Sequence, residues 1–360
     1  MRIRQIRLNP RRAAAVVAIG GAALAVGVSS SGATTSHPKL AMIVAASNQN
    51  AFQEMADGAK VAAANFGDQL TSLAPASVTD DATTEVTDFQ SAETSSPNGI
   101  GLMTTIPPDF GTVEAQAEKA GIPVVAVDAC PVPTSNVPTC VANNNEQVGE
   151  AIATALVKSG KIKKGEKGLV VVGDDIPELQ LLGLRITGME KVLKAYDPNL
   201  TFTPNQNVTS DPTTNETNWA SLVAKYPHAV AYIAPGDQDA VSFVDIERST
   251  HKHYLVIACD VDPTAIGGVK DGEIFGLGDP HHFLKGYIAM YILNHYARTG
   301  KLIKGWWNPG SGTITSANID AIEHRETNNQ TRYAYYKSII AKELANPSKY
   351  ILPLAQAGEN

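Results

Sequence analysis

The chain has 360 residues, of which 43% are hydrophobic and 18% charged, and its formal net charge at pH 7 is −7. This length allows two domains of ordinary size, and this balance is typical of a soluble globular protein and excludes a chain that is disordered throughout. Residues 1–33 include five Arg and no acidic residue, so the rest of the chain has 24 basic and 36 acidic side chains and a net charge of −12. Such a charge disfavours nucleic acid and anionic membranes as partners.

The N-terminal segment has the order of regions that is found in export signals. Five Arg occur among residues 2–12, an apolar and small-residue run covers residues 13–28, and Ser31, Gly32 and Ala33 follow. A membrane anchor needs about 20 apolar residues, and this run is shorter and rich in Ala and Gly. No cysteine follows it to accept a lipid. We therefore expect residues 1–33 to be a signal peptide cleaved near Ala33, and the mature protein to be free in the periplasm.

The next part of the chain alternates strand and helix patterns. Strands are predicted at Lys39–Ala45, Leu70–Ala74, Ile100–Thr105 and Gly121–Val127, and helices from Phe52, around Glu85–Ala92 and at Pro107–Lys119. The order β-α-β-α-β-α-β predicts a parallel doubly wound sheet. The last of these strands is an apolar run that ends abruptly on Asp128, so its carboxylate is expected at the carboxyl end of a buried strand.

Three cysteines follow the predicted signal peptide. Cys130 and Cys140 enclose a short Pro-rich loop, and in an oxidising compartment we expect them to form a disulfide. Closing so short a loop stabilises the fold by about 2–3 kcal/mol. Cys259 is left over, and its position at a strand end predicts a small buried hydrophobic residue.

The alternation restarts after a predicted helix at Glu146–Ser159. Strands are predicted at Leu169–Val172, Leu200–Val208, Ala229–Ala234, Leu255–Cys259 and Glu273–Leu277, with helices through Leu184–Leu193 and at Asn218–Lys225, Asp239–Ser249 and Pro263–Val269. This second parallel sheet again has an apolar strand that ends on a carboxylate, Asp260. Ligands of open α/β sheets bind beyond the carboxyl ends of the strands, so two facing lobes with Asp128 and Asp260 predict a small-molecule site between them.

The C-terminal part is less informative. A helix is predicted at His282–Thr299, a turn-rich connector at Gly305–Gly312, and a further helix near Tyr333–Leu344. Residues 313–360 carry no recognisable chemistry, and we expect this tail to pack onto a lobe.

The order of elements and the residues at the strand ends over about residues 39–316 resemble the type I periplasmic sugar-binding proteins, in particular the ribose-binding group. The resemblance implies two Rossmann-like lobes with parallel sheets, joined by three crossing strands near Asn143, Asp279 and Gly310–Thr313. The first lobe would comprise residues 37–143 and 280–310, and the second residues 144–279 and 311–360 with a C-terminal extension. Such proteins close on a sugar and deliver it to an ABC permease, so a monomer without cofactor is expected.

The resemblance implies binding roles for ten positions. They are Asn50 and Phe52 after the first strand, Thr104 (or Thr105), Asp128, Asn143 and Asn144 at the first crossing, Arg185 in the second lobe, Gly236 where the ribose group has Asn, Asp260, and Asp279 where it has Gln. The segments Ile233–Pro235 and Phe275–Asp279 are more similar to the branch that binds autoinducer-2 or rhamnose, whereas Arg185 is similar to the ribose branch. The ligand therefore stays open among a pentose, a hexose, a sugar alcohol and an autoinducer-like diol.

The chemistry of these side chains suits hydroxyl groups. Sugar hydroxyls both donate and accept hydrogen bonds, so acceptor-only carboxylates beside a donor-only guanidinium group satisfy them in a buried site. We expect Asp128→Ala, Arg185→Ala and Asp260→Ala to weaken binding strongly and to leave the stability of the unliganded protein nearly unchanged.

Other classes of function fit the sequence less well. The pair His281-His282, with His251 and His253, suggests a metal, but ligand spacings typical of structural sites are missing and His281 is expected at the surface. Paired carboxylates could serve a glycoside-acting enzyme, although the whole-chain pattern favours a binding protein over an enzyme. A transcriptional repressor with this ligand domain would need an N-terminal helix-turn-helix and a basic surface in place of the export signal.

Overall fold

The computed structural model describes residues 37–76, 81–132, 135–165 and 167–357. It contains two mostly parallel sheets, each covered by helices on both faces. The predicted signal peptide lies outside the described residues, so its cleavage near Ala33 stays a prediction. Within the described ranges, no helix combines the length and the apolar character needed to cross a membrane.

The first lobe follows the predicted alternation closely. Its elements are β1 Lys39–Ile43, α1 Asn50–Phe66, β2 Gln69–Leu73, α2 Ala82–Thr94, β3 Gly99–Leu102, α3 Pro107–Lys119, β4 Val124–Val127 and β5 Thr139–Val141. The apolar faces of α2 and α3 cover one face of the sheet, and α1 covers the other. Strands β1 and β3 end earlier than predicted, because their apolar runs continue into buried loops at the carboxyl ends.

The second lobe repeats the same architecture. Its elements are α4 Asn145–Ser159, β6 Gly168–Asp174, α5 Gln180–Tyr196, β7 Leu200–Phe202, β8 Gln206–Asn207, α6 Pro212–Lys225, β9 Ala231–Ala234, α7 Asp237–Thr250, β10 Val256–Cys259, α8 Pro263–Asp271 and β11 Gly276–Asp279. Helix α6 begins at Pro212 and not at Asn218, because Asp211 accepts a hydrogen bond from the backbone N–H of Thr214 and so caps the helix.

The rest of the chain passes repeatedly between the lobes. Its elements are α9 His282–Thr299, β12 Gly305–Trp307, β13 Gly312–Thr315, α10 Ile319–Arg325, α11 Asn329–Ala345 and β14 Ile351–Leu352. The prediction of a turn-rich connector over Gly305–Gly312 was wrong at its start, where Gly305–Trp307 is a strand. Trp306 and Trp307 are buried there, and burial of two aromatic residues that favour strands outweighs the glycine signal.

The strand order in the two sheets confirms the predicted fold class. The first sheet runs β14-β12-β5-β4-β3-β1-β2 and the second runs β13-β11-β10-β9-β6-β7. Neighbouring strands are parallel except at one edge of each sheet, where β14 pairs with β12 and β13 with β11 in antiparallel fashion. The predicted parallel fold is therefore correct, with one antiparallel edge strand added to each lobe.

The described chain crosses between the lobes four times. The crossings after β5, after β11 and after β12 lie where three were predicted, and a fourth joins α10 of the second lobe to α11. Residues 311–360 were assigned to the second lobe, but Tyr336 and Ile340 of α11 pack in the core of the first lobe and β14 extends its sheet. The tail lacks the long apolar runs from which its packing against the first lobe could have been predicted.

Close packing of helices fixes the position of the second lobe's arginine. A Cβ atom on either Gly149 of α4 or Gly188 of α5 would lie 2.0 Å from a backbone oxygen of the opposite helix. The two backbones therefore touch only because both residues are glycine. Arg185 lies in this contact, one turn before Gly188, so its backbone is held rigidly while its side chain extends into the protein.

The structure joins Cys130 to Cys140, as predicted, with the two Cα atoms 5.4 Å apart, and leaves Cys259 as a buried free thiol.

We expect protein purified from the cell envelope to show one alkylated cysteine when it is unfolded without reductant and three after reduction. Intact mass spectrometry measures both states and also tests the predicted loss of residues 1–33. Three alkylated cysteines without reductant would contradict the disulfide.

Candidate functional site

A small cavity of about 30 Å³ lies between the two lobes at the carboxyl ends of the strands. This volume is about the share of one water molecule in the liquid, so the lobes are closed around a space far smaller than a sugar. A larger groove of about 680 Å³ lies on the surface of the first lobe, beside the ends of α2 and α9. No cluster of charged side chains faces that groove among the described residues, whereas the interlobe cavity is surrounded by them.

The strand-end aspartates reach the cavity from opposite lobes. Asp128 follows β4 and Asp260 follows β10, and both line the cavity with their side chains buried. Both have a left-handed backbone, with φ of 68° and 70°. Asp adopts this conformation more readily than most residues, and the same local geometry turns the two carboxylates towards the cleft.

Asp260 bridges the two lobes. Its Oδ2 accepts a hydrogen bond of 2.8 Å from Nη1 of Arg185, and its Oδ1 lies 2.8 Å from Nε2 of His282 on α9. Arg185 also donates to the carbonyl of Pro235 and to Oδ1 of Asn145. Burial alone would raise the pKa of Asp260, but the guanidinium group and His282 hold the pKa below its ordinary value. The carboxylate is therefore ionised in a buried ion pair.

Lys285 on α9 is a site residue that the sequence analysis missed. Its side chain is fully buried, and its Nζ contacts Oδ1 of Asp128 and lies 3.4 Å from Nδ1 of His282. Burial lowers the pKa of Lys285, whereas the pKa of Asp128, which burial by itself would raise, is held below its ordinary value by this ammonium. His282 and Lys285 are three residues apart on one face of α9, and this polar spacing within an apolar helix was the available signal.

Two further carboxylates of the second lobe line the cavity. Asp175 follows β6, and Asp237 begins α7; the Oδ1 atoms of both are buried without a hydrogen-bond partner. Oδ2 of Asp237 accepts a hydrogen bond of 3.4 Å from the backbone N–H of Ala51 at the N-terminus of α1, across the cleft. The positive end of the α1 helix dipole favours a hydrogen-bond acceptor at that position, so this contact links the two lobes in the closed structure.

Gly236 has a spatial role beside Asp175. A Cβ atom at Gly236 would lie 2.0 Å from Oδ1 of Asp175. The carboxylate thus occupies the space that any larger residue at position 236 would need. Gly236 lines the cavity, as its predicted binding role requires, but it contributes room and not a polar group.

Apolar side chains close the remaining wall of the cavity. Ile176, Leu179, Leu181 and Leu182 of the second lobe pack with Ala129 of the first lobe in one small cluster. Phe52 lines the cavity and also belongs to the core of the first lobe, so it is placed both to stack on a ligand and to stabilise α1. A ligand that enters the cleft must displace this apolar contact between the lobes.

The structure brings some of the predicted residues together and leaves others elsewhere. Phe52, Asp128, Arg185, Gly236 and Asp260 line the cavity. Asn50 lies beside it and donates a hydrogen bond of 2.6 Å to the carbonyl of Val261 across the cleft. The other four lie outside the lining of the cavity.

Four predicted residues do not line the cavity in the closed structure. Thr104 accepts a hydrogen bond from the N–H of Ile106, and Asn144 caps α4. Asn143 donates to the carbonyl of Gly310 and so links the first and third crossings. Asp279 forms an ion pair with Arg325 at the second crossing. Their binding roles stay predictions.

The prediction that His281 lies at the surface was wrong. Its exposed fraction is 9%, and its ring packs edge to face on Tyr336 of α11 with the centroids 5.3 Å apart. Burial lowers the pKa of His281. The tail covers this residue, which is why its burial was not evident from the local sequence. Among the described residues, no group of three His, Cys, Asp or Glu side chains is arranged to hold a metal ion.

Comparison with known sequences places this site in context. Residues 40–302 match the periplasmic binding protein domain. Over 179 residues the chain is 26% identical to the ribose import binding protein of Bacillus subtilis, and the aligned part covers 49% of this chain and 56% of that protein. The chain therefore spans about half the length of the curated relative that it matches.

Known structures share the fold. A carbohydrate transporter solute-binding protein from Agrobacterium radiobacter in complex with D-arabinose superposes with a TM-score of 0.71 at 21% identity, covering 80% of this chain and 99% of that one. The Caulobacter myo-inositol binding protein bound to myo-inositol gives a TM-score of 0.69 at 19% identity, covering 79% and 96%. At these identities the comparison establishes the two-lobed fold, and the residues of the cleft must be interpreted from their own geometry.

Proposed function

Because the chain belongs to the periplasmic binding protein family, we propose that it is the solute-binding protein of an ABC importer and binds a small carbohydrate or polyol between its lobes. The ribose import relative and the arabinose-bound and inositol-bound neighbours support this class of ligand. Because these relatives are transport proteins and not enzymes, we assign no catalytic residue. In this role the protein is exported, loses residues 1–33, acts as a monomer and delivers its ligand to a permease in the inner membrane.

The observation that carries the proposal is the convergence of Asp128 and Asp260 from opposite lobes on one cavity, with Arg185 and Lys285 beside them. The carboxylates accept hydrogen bonds from ligand hydroxyls, and the two cations donate to hydroxyl or ring oxygens. Charged partners strengthen these bonds in a buried place. A ligand held from both sides also favours closure of the lobes, since only the closed form satisfies all of its hydroxyls.

The closed cavity of about 30 Å³ implies that the lobes separate to admit a ligand. Four short crossings are compatible with a hinge, because each lobe keeps its own core while only the connecting backbone changes. Opening would break the contact of Asp237 with α1 and the bond of Asp260 to His282. Ligand binding replaces these interlobe contacts and re-closes the cleft.

A thermal-shift screen tests this function. Purified protein is heated with pentoses, hexoses, rhamnose, inositols, linear sugar alcohols and autoinducer-2, each at a high and a low concentration. A ligand at 100 times its Kd stabilises the protein by about 2.7 kcal/mol, and calorimetric titration then gives its affinity. Asp260→Asn and a surface control, Asp271→Asn on α8, are screened in parallel. A shift that only the Asp260 variant loses supports the cleft as the site, and no shift with any compound would contradict the proposal.

A further inference from the structure

The cavity has two carboxylates beyond those that its cations neutralise. Asp128 pairs with Lys285, and Asp260 pairs with Arg185. Within the part of the chain that the structure describes, neither Asp175 nor Asp237 pairs with a cation. Each keeps a buried Oδ1 atom without a hydrogen-bond partner, and the exposed fraction of Asp175 is only 7%.

Two neighbouring aspartates show what a purely structural carboxylate looks like in this lobe. Asp239 accepts hydrogen bonds from Asn215, Trp219 and the backbone of Gly236, and Asp174 accepts from Asn205 and the backbone of Ile176. These two lie behind the cavity wall and are satisfied by neutral donors. Asp175 and Asp237 instead line the cavity, and each keeps one buried oxygen without a hydrogen-bond partner.

Electrostatics in the unliganded protein disfavour two ionised carboxylates here. Burial raises the pKa of Asp175 well above its ordinary value, and the neighbouring carboxylates of Asp239 and Asp174 raise it further. Burial and Asp260 raise the pKa of Asp237 in the same way. A positive charge beside them would reduce this penalty and would give the unpartnered oxygens a hydrogen-bond donor.

We propose that Asp175 and Asp237 form a subsite for a protonated amino group, so that the preferred ligand is an amino sugar or an amino polyol. This inference rests on the proposed function and narrows its ligand class. An ammonium group has three donors and no acceptor, which matches carboxylate oxygens that lack donors. A metal ion fits less well, because the described residues offer no group of three metal-binding side chains at this position. The closed cavity of about 30 Å³ matches one small polar group in size, and the lobes must separate further to hold the rest of the ligand.

Matched ligand pairs test the subsite. Calorimetric titration compares D-glucosamine with D-glucose, D-galactosamine with D-galactose, and 1-amino-1-deoxysorbitol with sorbitol. At pH 7 we expect the amino member of at least one pair to bind 10-fold or more tightly than its neutral partner. Asp175→Asn and Asp237→Asn keep the side-chain shape and are expected to reduce that preference to about 3-fold or less. Asp271→Asn, whose side chain is exposed on α8, is the control and should keep it.

Proton linkage gives a second readout of the same event. Burial raises the pKa of both carboxyl groups and a bound ammonium lowers it again, so binding of the amino ligand should release protons and strengthen as pH rises from 5 to 7. Titrations in buffers of different ionisation enthalpy measure this release, and the Asp175→Asn variant should lose most of it.

The outcomes separate this inference from the function on which it rests. Equal or tighter binding of the neutral members, or an amine preference that survives in both Asp variants, overturns the subsite while leaving a carbohydrate-binding protein. No binding of either member of any pair, together with a negative screen of neutral sugars, overturns both. Preference for the amine that both variants lose, with proton release, supports the subsite.

Discussion

Replacing Asp128 with Ala is expected to lower the free energy of unfolding of the unliganded protein by about 3–5 kcal/mol, because it leaves the ammonium of Lys285 buried without a carboxylate. Lys285 is fully buried, and burial already lowers its pKa. In the variant the folded protein binds fewer protons at this lysine than the unfolded chain does. The loss of stability should therefore shrink as pH rises from 7 towards the ordinary lysine pKa of about 10.4. Urea unfolding at pH 7 and pH 9 measures the effect.

A double-mutant cycle provides the control for this prediction. Asp128→Asn combined with Lys285→Met removes both charges and keeps most of the side-chain volume, so the double variant should be at least about 1 kcal/mol more stable than the sum of the single losses implies. Strictly additive losses would contradict a buried ion pair. The contact between Lys285 and Asp128 replaces the expectation from sequence that Asp128→Ala leaves the unliganded protein unaffected, since that expectation gave Asp128 no partner until a ligand binds.

The positions of Asp128 and Asp260 were predictable because buried parallel strands leave few alternatives. An apolar run of this length that ends on a carboxylate must bring that carboxylate to the carboxyl end of a sheet, and two such runs with the right spacing imply two lobes. The sequence could not say that both carboxylates would already be neutralised. Lys285, the partner of Asp128, lies on a helix that is buried on nearly every side, where an apolar periodicity does not indicate which face meets the cleft.

Asp175 and Asp237 were missed for a different reason. An Asp after a strand or before a helix usually caps a turn or a helix end, and Asp239 and Asp174 beside them do have such roles. Only the three-dimensional arrangement shows which of these four carboxylates keep an unsatisfied oxygen. The role of Gly236 was equally hard to predict, because a glycine that makes room for a neighbouring side chain has no pattern of its own in the sequence.

The fourth crossing depends on small elements that contact residues far away in the sequence. Strand β14 has two residues and pairs with β12, and α11 covers His281 and the core of the first lobe. Neither element has the long apolar period that made the earlier strands predictable. Charged contacts also hold the tail, beginning at Asp279 on the second crossing and continuing through Arg325.

Arg325→Met is expected to lower the free energy of unfolding by about 3–5 kcal/mol, because it leaves the carboxylate of Asp279 buried without its cation. Nη1 of Arg325 lies 2.5 Å from Oδ2 of Asp279, and each side chain is at most 3% exposed. Burial by itself would raise the pKa of Asp279, but the guanidinium of Arg325 holds that pKa well below its ordinary value. The ion pair therefore contributes its full stability above the unfolded-state pKa of about 3.9 and loses it as pH falls further.

The consequences of this change extend from one lobe to the other. Arg325 also contacts Glu326, whose Oε2 accepts a hydrogen bond of 2.6 Å from Arg332, and Arg332 in turn pairs with Asp57 on α1 at 3.1 Å. This series of charges links the second crossing to the first helix of the first lobe. Loss of Arg325 should therefore loosen α11 and the fourth crossing, seen as faster amide hydrogen exchange in residues 326–345.

The matched control for Arg325→Met is Lys270→Met. This change breaks the ion pair between Lys270 on α8 and Glu323 on α10, the helix that also carries Arg325. Those side chains are 44% and 52% exposed, and exposed pairs contribute only about 0–1 kcal/mol. Urea unfolding at pH 7 and pH 3.5 should show a large difference between wild type and the Arg325 variant that narrows in acid, and a small, nearly constant difference for the Lys270 variant. If both variants lose the same small amount of stability, and exchange in residues 326–345 is unchanged, then the fourth crossing is held by the apolar packing of Tyr336 and Ile340 and not by charge.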